Sequence, residues 1–324
     1  MNYILRRILT ALVTMLLVSF FCFLAFSVIR GDAAVYLSDI HSTPEQVETL
    51  REELGLNRNV FARYFDWLIN FITGNPGTSF RFRGESISSV IAQRLPVSIT
   101  LALLSLFFIL LISLPVSFFT VKKEGSIIDR IVNFFTAAGI STPGFFLGLL
   151  FIWFFGLVLK IFLPGNYIDY KEHFLGFIGC LIFPALAIAV PNSAILIKFL
   201  RGSLIQELKS DYVRTAKSKG ADYFYILRHH VLKNALIPAI TMFGMIIAEV
   251  LSGSIIIEQV FSIPGLGRLL IAAISSRDYP LLQALMVYIA FIIVMANTLA
   301  DIIIMILDPR IRTAIITNKT RGNQ

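Results

Sequence analysis

Three ionisable side chains lie inside long apolar runs of this chain: Glu249 and Glu258 in 236–261, and Asp301 in 281–307. A charge in hydrocarbon is costly, so such a group faces a bundle interior or a watery pathway, and all three are candidates for lining a translocation path. Two readings fit Glu249: cavity lining, or a structural pair within the bundle. Asp301, near one end of its run, reads as structural, and Glu258 is placed to pair with Arg268 or Arg277. No sequence feature gives any of them a defined ligand.

A second group of residues shapes backbone rather than charge. In Ile256-Ile-Glu-Gln-Val-Phe-Ser-Ile-Pro-Gly-Leu-Gly-Arg268, Pro264, Gly265 and Gly267 supply tight turn geometry ahead of Arg268. The expectation is a short loop dipping back between spans, where irregular backbone is tolerated if buried in protein. A third group is the polar stretch 211–220, the longest basic segment of the chain. Asp211 can cap a short helix and Gly220 can end it, with Lys217 and Lys219 where a helix C-terminus favours cations. Tyr212, Val213 and Ala216 share one face; Arg214, Lys217 and Ser218 share the other, with Thr215 between. Asp222, after Ala221, can cap a second helix through Ile226, Leu227 and Val231. A short stiff helix with a small-residue patch and a basic rim suits docking.

Covalent chemistry has no comparable signal. The sequence contains no Gly-x-x-x-x-Gly-Lys-[Ser/Thr] and no His-Glu-x-x-His. It has no His/Cys cluster at zinc spacing either. His229 and His230 are sequential, so on a helix they point about 100° apart. Catalytic residues, metal ligands and a cofactor bound by this chain are therefore not expected.

The elements that position these groups are membrane spans. Of 324 residues, 56% are hydrophobic and only 15% charged, with a mean hydropathy of +0.79. That excludes an ordinary soluble domain. The net charge of +8 gathers beside apolar runs, which topology explains better than nucleic-acid binding. Cys22 and Cys180 both lie inside such runs, which argues against a disulfide framework. Spans are expected over 8–29, 97–121, 131–159 (kinked or broken at Pro143-Gly144), 174–197, 236–261 and 281–307. The first is too long for a signal-peptide core and reads as a retained span.

Between the first two spans lies a polar excursion from Arg30 to Pro96. It holds a capping-box helix starting at Thr43, then Phe61, Tyr64, Phe65, Trp67, Leu68 and Phe71 at helical spacing, then a turn-rich link over 74–80. With a cytoplasmic N-terminus, 17 Lys and Arg fall inside and 4 in the short outer loops, so both termini are expected in the cytoplasm.

The stretch Tyr212-Val-Arg-Thr-Ala-Lys-Ser-Lys-Gly220 resembles the cytoplasmic coupling loop of permease subunits of binding-protein-dependent ABC importers, in the peptide/nickel branch. Against the broad Glu-Ala-Ala-x-x-x-Gly pattern only Ala216 and Gly220 match; Arg214 and Thr215 stand for the Glu and first Ala, as is usual in that branch. The Pro-Gly-Leu-Gly-Arg turn, Arg277-Asp-Tyr-Pro280, Asp308-Pro-Arg-Ile-Arg312 and the 30–96 region are similar to the same family, so the resemblance covers essentially the whole chain.

The resemblance implies an all-α integral membrane protein of six transmembrane helices with the type I ABC importer permease fold and a long extracytoplasmic loop after the first helix. It implies a division into 1–96, a five-helix core 97–310 with a coupling loop 198–235, and a cytoplasmic tail 311–324. It further implies alternating-access import of oligopeptides or dipeptides across the bacterial cytoplasmic (inner) membrane, with nickel or a metal chelate as the alternative. Partners would be a homologous second permease, two ATP-binding subunits carrying ATP and Mg, and an extracytoplasmic substrate-binding protein. A secondary transporter or channel relaying protons or cations through Glu249 and Asp301 is the alternative from another class; no inverted repeat supports it.

Overall fold

The computed structural model describes residues 3–29 and 58–307, which are almost wholly helical. In chain order the helices are α1 (Tyr3–Ile29), α2 (Val60–Ile72), α3 (Ile87–Lys122), α4 (Ile127–Ser141), α5 (Gly144–Phe151, continued by the π-helix Ile152–Val158) and α6 (Phe174–Leu208). They are followed by α7 (Asp211–Ser218), α8 (Tyr223–Ile226), a π-helical turn (Leu227–Val231), α9 (Leu232–Val260), α10 (Leu266–Ser275) and α11 (Tyr279–Leu307). Among the described residues, five helices are long and apolar enough to cross a membrane. The α4–α5 pair, bent by 103°, supplies a sixth span when counted as one. The expected Thr43 capping box and the 311–324 tail lie outside the described residues.

Proline and glycine explain the bend. Pro143 disfavours helical backbone at the residue before it, and Thr142 is extended. The pair hugs α6 on both sides of the break. A Cβ on Gly139 would meet the Ala194 Cβ at 3.0 Å, and one on Gly144 would meet the Ala187 carbonyl at 3.2 Å. Only glycine allows this approach without a shift.

Among the described residues, one compact unit takes in 3–6, 97–268 and 295–307; the other combines 7–29 and 58–96 with 269–294. In the first, α6 and α9 make the most extensive helix–helix contact. Leu181, Ala185, Leu200 and Leu204 of α6 and Ala235, Ile246 and Val250 of α9 are sealed from solvent. The expected fourth span ended near Ile197, yet α6 runs on to Leu208, about 52 Å in all. Lys198 and Arg201 read as a span boundary, but Leu200 and Leu204 keep the helix packed beyond them. The second span was likewise expected from Val97, whereas α3 starts at Ile87 and holds Pro96 in its interior. Pro96 lacks the N–H that would bond the Ala92 carbonyl, and Ala92 is exposed.

In the second unit, α2 forms over the aromatic repeat, as the helical spacing predicts, and part of its aromatic face packs on α1. Phe20 stacks on Phe61 at 5.8 Å and meets Tyr64 edge-on at 5.2 Å. The Tyr64 hydroxyl lies 2.8 Å from Ser19 Oγ, satisfying both groups within apolar surroundings.

The turn before α4 is pinned by a buried ion pair with no local sequence signal. Asp129 accepts from the Arg201 guanidinium at 2.8 Å, from Gly125 N at 3.1 Å and from Asn133 Nδ2 at 3.2 Å. Removing one partner strands the other charge, so Asp129→Ala is expected to cost about 3–5 kcal/mol. The check is thermal unfolding in detergent, where Asp129→Leu combined with Arg201→Met should recover most of the loss.

Candidate functional site

Helix α7 is short because its ends are written into it. Ser210, not Asp211, is the N-cap residue, and its hydroxyl donates to the Glu207 carbonyl at 2.6 Å instead of capping. Asp211 falls one position later, in the first turn, where a carboxylate favours the helix dipole. At the other end Ala221 N donates to Ala216 O (3.2 Å) and Gly220 N to Lys217 O (2.9 Å). Gly220 has φ +80°. This is a Schellman termination, which needs left-handed backbone at that glycine.

The two faces of α7 differ from the expected docking arrangement in one respect. Val213 is fully buried, and Ala216 and Ala221 pack against the same core. The small-residue patch thus faces the chain's own helices, because Val213 drags its neighbours inward. What faces outward is Tyr212, Arg214, Thr215, Lys217, Ser218, Lys219 and Gly220, a polar and basic surface. Tyr212 donates to Glu207 Oε2 at 2.6 Å and accepts from Asn234 at 3.4 Å. Partial burial, and then the bond to Glu207, hold its phenol above the ordinary tyrosine range. The Arg214–Asp211 pair (3.6 Å) is so exposed that it contributes little. Asp222 caps α8 as predicted, accepting from Phe224 N at 3.0 Å. His229 stacks on Tyr225 with ring centroids 4.4 Å apart. Nearby, a cleft of ≈ 560 Å³ opens between α4, α6 and α9, lined by Ile140, Lys198, Phe199, Gly202, Gln206 and Pro238 among others.

The Pro264–Arg268 stretch is no simple loop. Helix α10 begins at Leu266, and its free N–H groups are taken by Glu258, which is 1% exposed. Glu258 Oε2 accepts from Gly267 N (2.7 Å) and Arg268 N (3.2 Å), and Oε1 from Ser98 Oγ (2.6 Å). Ser98 Oγ in turn accepts from Leu266 N at 2.8 Å. The partner of Glu258 at Arg268 is therefore the backbone; the Arg268 guanidinium donates to the Ser262 carbonyl. The glycines follow from this packing. A side chain on Gly265 would overlap the Glu258 carboxyl group, and one on Gly267 would overlap the Ile255 backbone.

In the other unit, fully buried Asp278 accepts from Ser79 Oγ and from Arg81 N at 3.0 Å. The Arg-Asp-Tyr-Pro turn and the turn-rich 74–80 link therefore meet, 199 residues apart.

The three path candidates are not brought together. Glu249 and Glu258 lie nine residues apart on α9, so they point to opposite faces and are separated by about 13 Å along the axis. Glu249 is exposed on the chain's surface. Asp301, half-buried on α11, is partnered. Close by, Gly244 of α9 lets Ala300 and Ile304 pack against it.

A multi-pass helical membrane protein with a short polar helix between two long ones is the class that this geometry defines. Two family models match, the binding-protein-dependent transport system inner membrane component over 113–313 and its N-terminal counterpart over 1–102. The chain belongs to this family of transport-system membrane components. It is 36% identical to the probable peptide ABC transporter permease protein y4tP of Sinorhizobium fredii, over 96% of this chain and 99% of that one. It is 35% identical to the oligopeptide transport system permease protein AppB of Bacillus subtilis (95% and 98% covered). Identity to the dipeptide transport system permease protein DppB of Lactococcus lactis is 31% (96% and 99%). Among solved structures, the inward-facing MetNI methionine ABC transporter is similar at TM-score 0.54 and 16% identity. The match covers 68% of this chain and 96% of that one, and shows the shared fold.

Proposed function

We propose that this chain is the permease subunit through which an ATP-driven importer moves oligopeptides or dipeptides by alternating access. The similarity to y4tP, AppB and DppB over nearly the full length of each protein carries the reading, since all three bear peptide-transport names. That favours peptides over nickel or a metal chelate. Helix α7 supports the coupling role: it is rigidly terminated, anchored by Val213, and shows a basic outer face to a partner.

On this reading two ATP-binding subunits hold ATP and Mg and dock at 211–221. Closure of the ATPase pair then turns α6 and α9, which flank α7, as rigid elements. A homologous second permease completes the membrane core, and an extracytoplasmic binding protein delivers substrate to the α10 side. The excess of Lys and Arg flanking the spans on one side supports a bacterial inner-membrane orientation with both termini cytoplasmic. This chain itself performs no catalytic step.

The test is purification of the chain from its native membrane, partner identification by mass spectrometry, and reconstitution with the co-purified binding protein. Recovery of a second permease and two ATPases, with ATP-dependent peptide uptake, is the expected result. A solitary species that transports without ATP would discard the importer reading.

A further inference from the structure

Resting on the peptide-import reading, we propose that Glu249 is a cation subsite on the translocation path that takes an ammonium group of the passing peptide. Helix α9 turns one face toward α6, with Ile246, Val250 and Ile257 buried. Its opposite face carries Thr241, Met245, Glu249, Ser252 and Ile256, spaced 4, 4, 3 and 4 residues apart and all exposed. The Thr241 and Ser252 hydroxyls are tied back to their own helix, donating to Ile237 O at 3.3 Å and Ala248 O at 3.0 Å. Glu249 is then the ionisable group of this face, and among the described residues no donor or cation reaches its carboxylate.

Depth makes the position informative. Glu249 lies eleven residues before the end of α9, about 17 Å along the axis and so near the middle of a ~30 Å hydrocarbon layer. A carboxylate there cannot rest against lipid tails. The face also fits a variable substrate. Met245, 65% exposed and one turn away, can repack around different side chains. Gly253, with no atom within 4 Å of where a Cβ would stand, leaves room beside the carboxylate. A lysine side chain brings an ammonium group to the path, and a single carboxylate in an adaptable apolar trough takes it while its neighbours repack around the rest of the peptide.

Two measurements on the full reconstituted complex test this. In the first, Cys22 and Cys180 are replaced by serine and Met245→Cys is introduced. Its reaction rates with methanethiosulfonates bearing a trimethylammonium or a sulfonate group are compared with Glu249 intact and in Glu249→Gln. The cationic-to-anionic rate ratio should fall about fivefold on losing the carboxylate. Failure of both reagents to react in any nucleotide state, as when a helix of the second permease covers this face, overturns the proposal. An unchanged ratio does the same.

In the second, uptake of Ala-Lys-Ala, Ala-Ala-Ala and Ala-Glu-Ala is measured with saturating binding protein. Glu249→Lys should slow the three in that order, by about tenfold for the lysine peptide. An equal loss for all three marks a structural role and overturns the subsite, leaving the peptide reading intact. If the thiol ratio behaves as expected but wild-type complex moves none of the peptides, the peptide reading falls and the peptide ammonium with it.

Discussion

Glu258→Ala is expected to destabilise the protein by on the order of 3 kcal/mol, with Gly265→Leu at least as damaging. The carboxyl group of Glu258 is the shared acceptor for Gly267 N, Arg268 N and Ser98 Oγ. Alanine leaves these donors, buried or part-buried, without their acceptor and opens a void at the start of α10. Each orphaned donor costs roughly 1–3 kcal/mol, and partial relaxation or water entry keeps the sum below the arithmetic maximum. Gly265→Leu attacks the same contact from the other side, since even a Cβ overlaps the carboxyl group. Glu258→Gln should be much milder, because an amide oxygen in the Oε2 position still accepts from both backbone donors and only the Ser98 Oγ contact changes. Thermal unfolding of the purified complex in detergent measures all three. If Glu258→Ala unfolds at the wild-type temperature yet halts uptake, the residue acts on the substrate path and not as a cap.

How much of this was legible in the sequence depends on the range over which each feature acts. The apolar runs, the break at Pro143-Gly144, the aromatic face of α2 and the Asp222 cap are all set by residues within one or two helical turns, and all were readable. Helix extents were not. Lys198 and Pro96 look like boundaries locally, and only packing by Leu200 and Leu204, or exposure of Ala92, carries a helix past them. The Pro-Gly-Leu-Gly start of helix α10 has poor helix propensity and reads locally as a loop. Its cap comes from eight residues upstream and its other anchor, Ser98, is 168 residues away. The Asp129–Arg201 and Ser79–Asp278 contacts span 72 and 199 residues, beyond any periodicity argument.

Helix α7 shows the same limit on a smaller scale. Amphipathic spacing identified Val213 and Ala216 as sharing a face, but not whether that face meets a partner or the chain itself. The structure turns it inward, so Ala216→Glu is a folding lesion at the base of α7 more than a change in a contact surface. The outward surface is formed by Arg214, Lys217 and Lys219 instead.

Gly220→Pro is expected to abolish coupling while leaving the spans inserted. Proline fixes φ near −65°, whereas Gly220 sits at +80°, and proline also lacks the N–H that Gly220 donates to Lys217 O. The Schellman bond from Ala221 to Ala216 cannot survive that change, so the last turn of α7 and the approach to α8 must rebuild. A docking helix displaced by an ångström or more transmits little, and substrate-stimulated ATP hydrolysis and uptake should fall at least about tenfold. Gly220→Ala separates strain from sterics. The space around Gly220 is open, so alanine pays only the left-handed backbone cost of about 1 kcal/mol. Partial coupling is expected for alanine and nearly full coupling for Gly220→Asn, because asparagine tolerates that backbone region. The order Asn, Ala, Pro in ATPase stimulation, at constant complex yield, would tie coupling to the geometry of this helix end. Wild-type stimulation in the proline variant would show that α7 is not where the ATPase delivers its stroke.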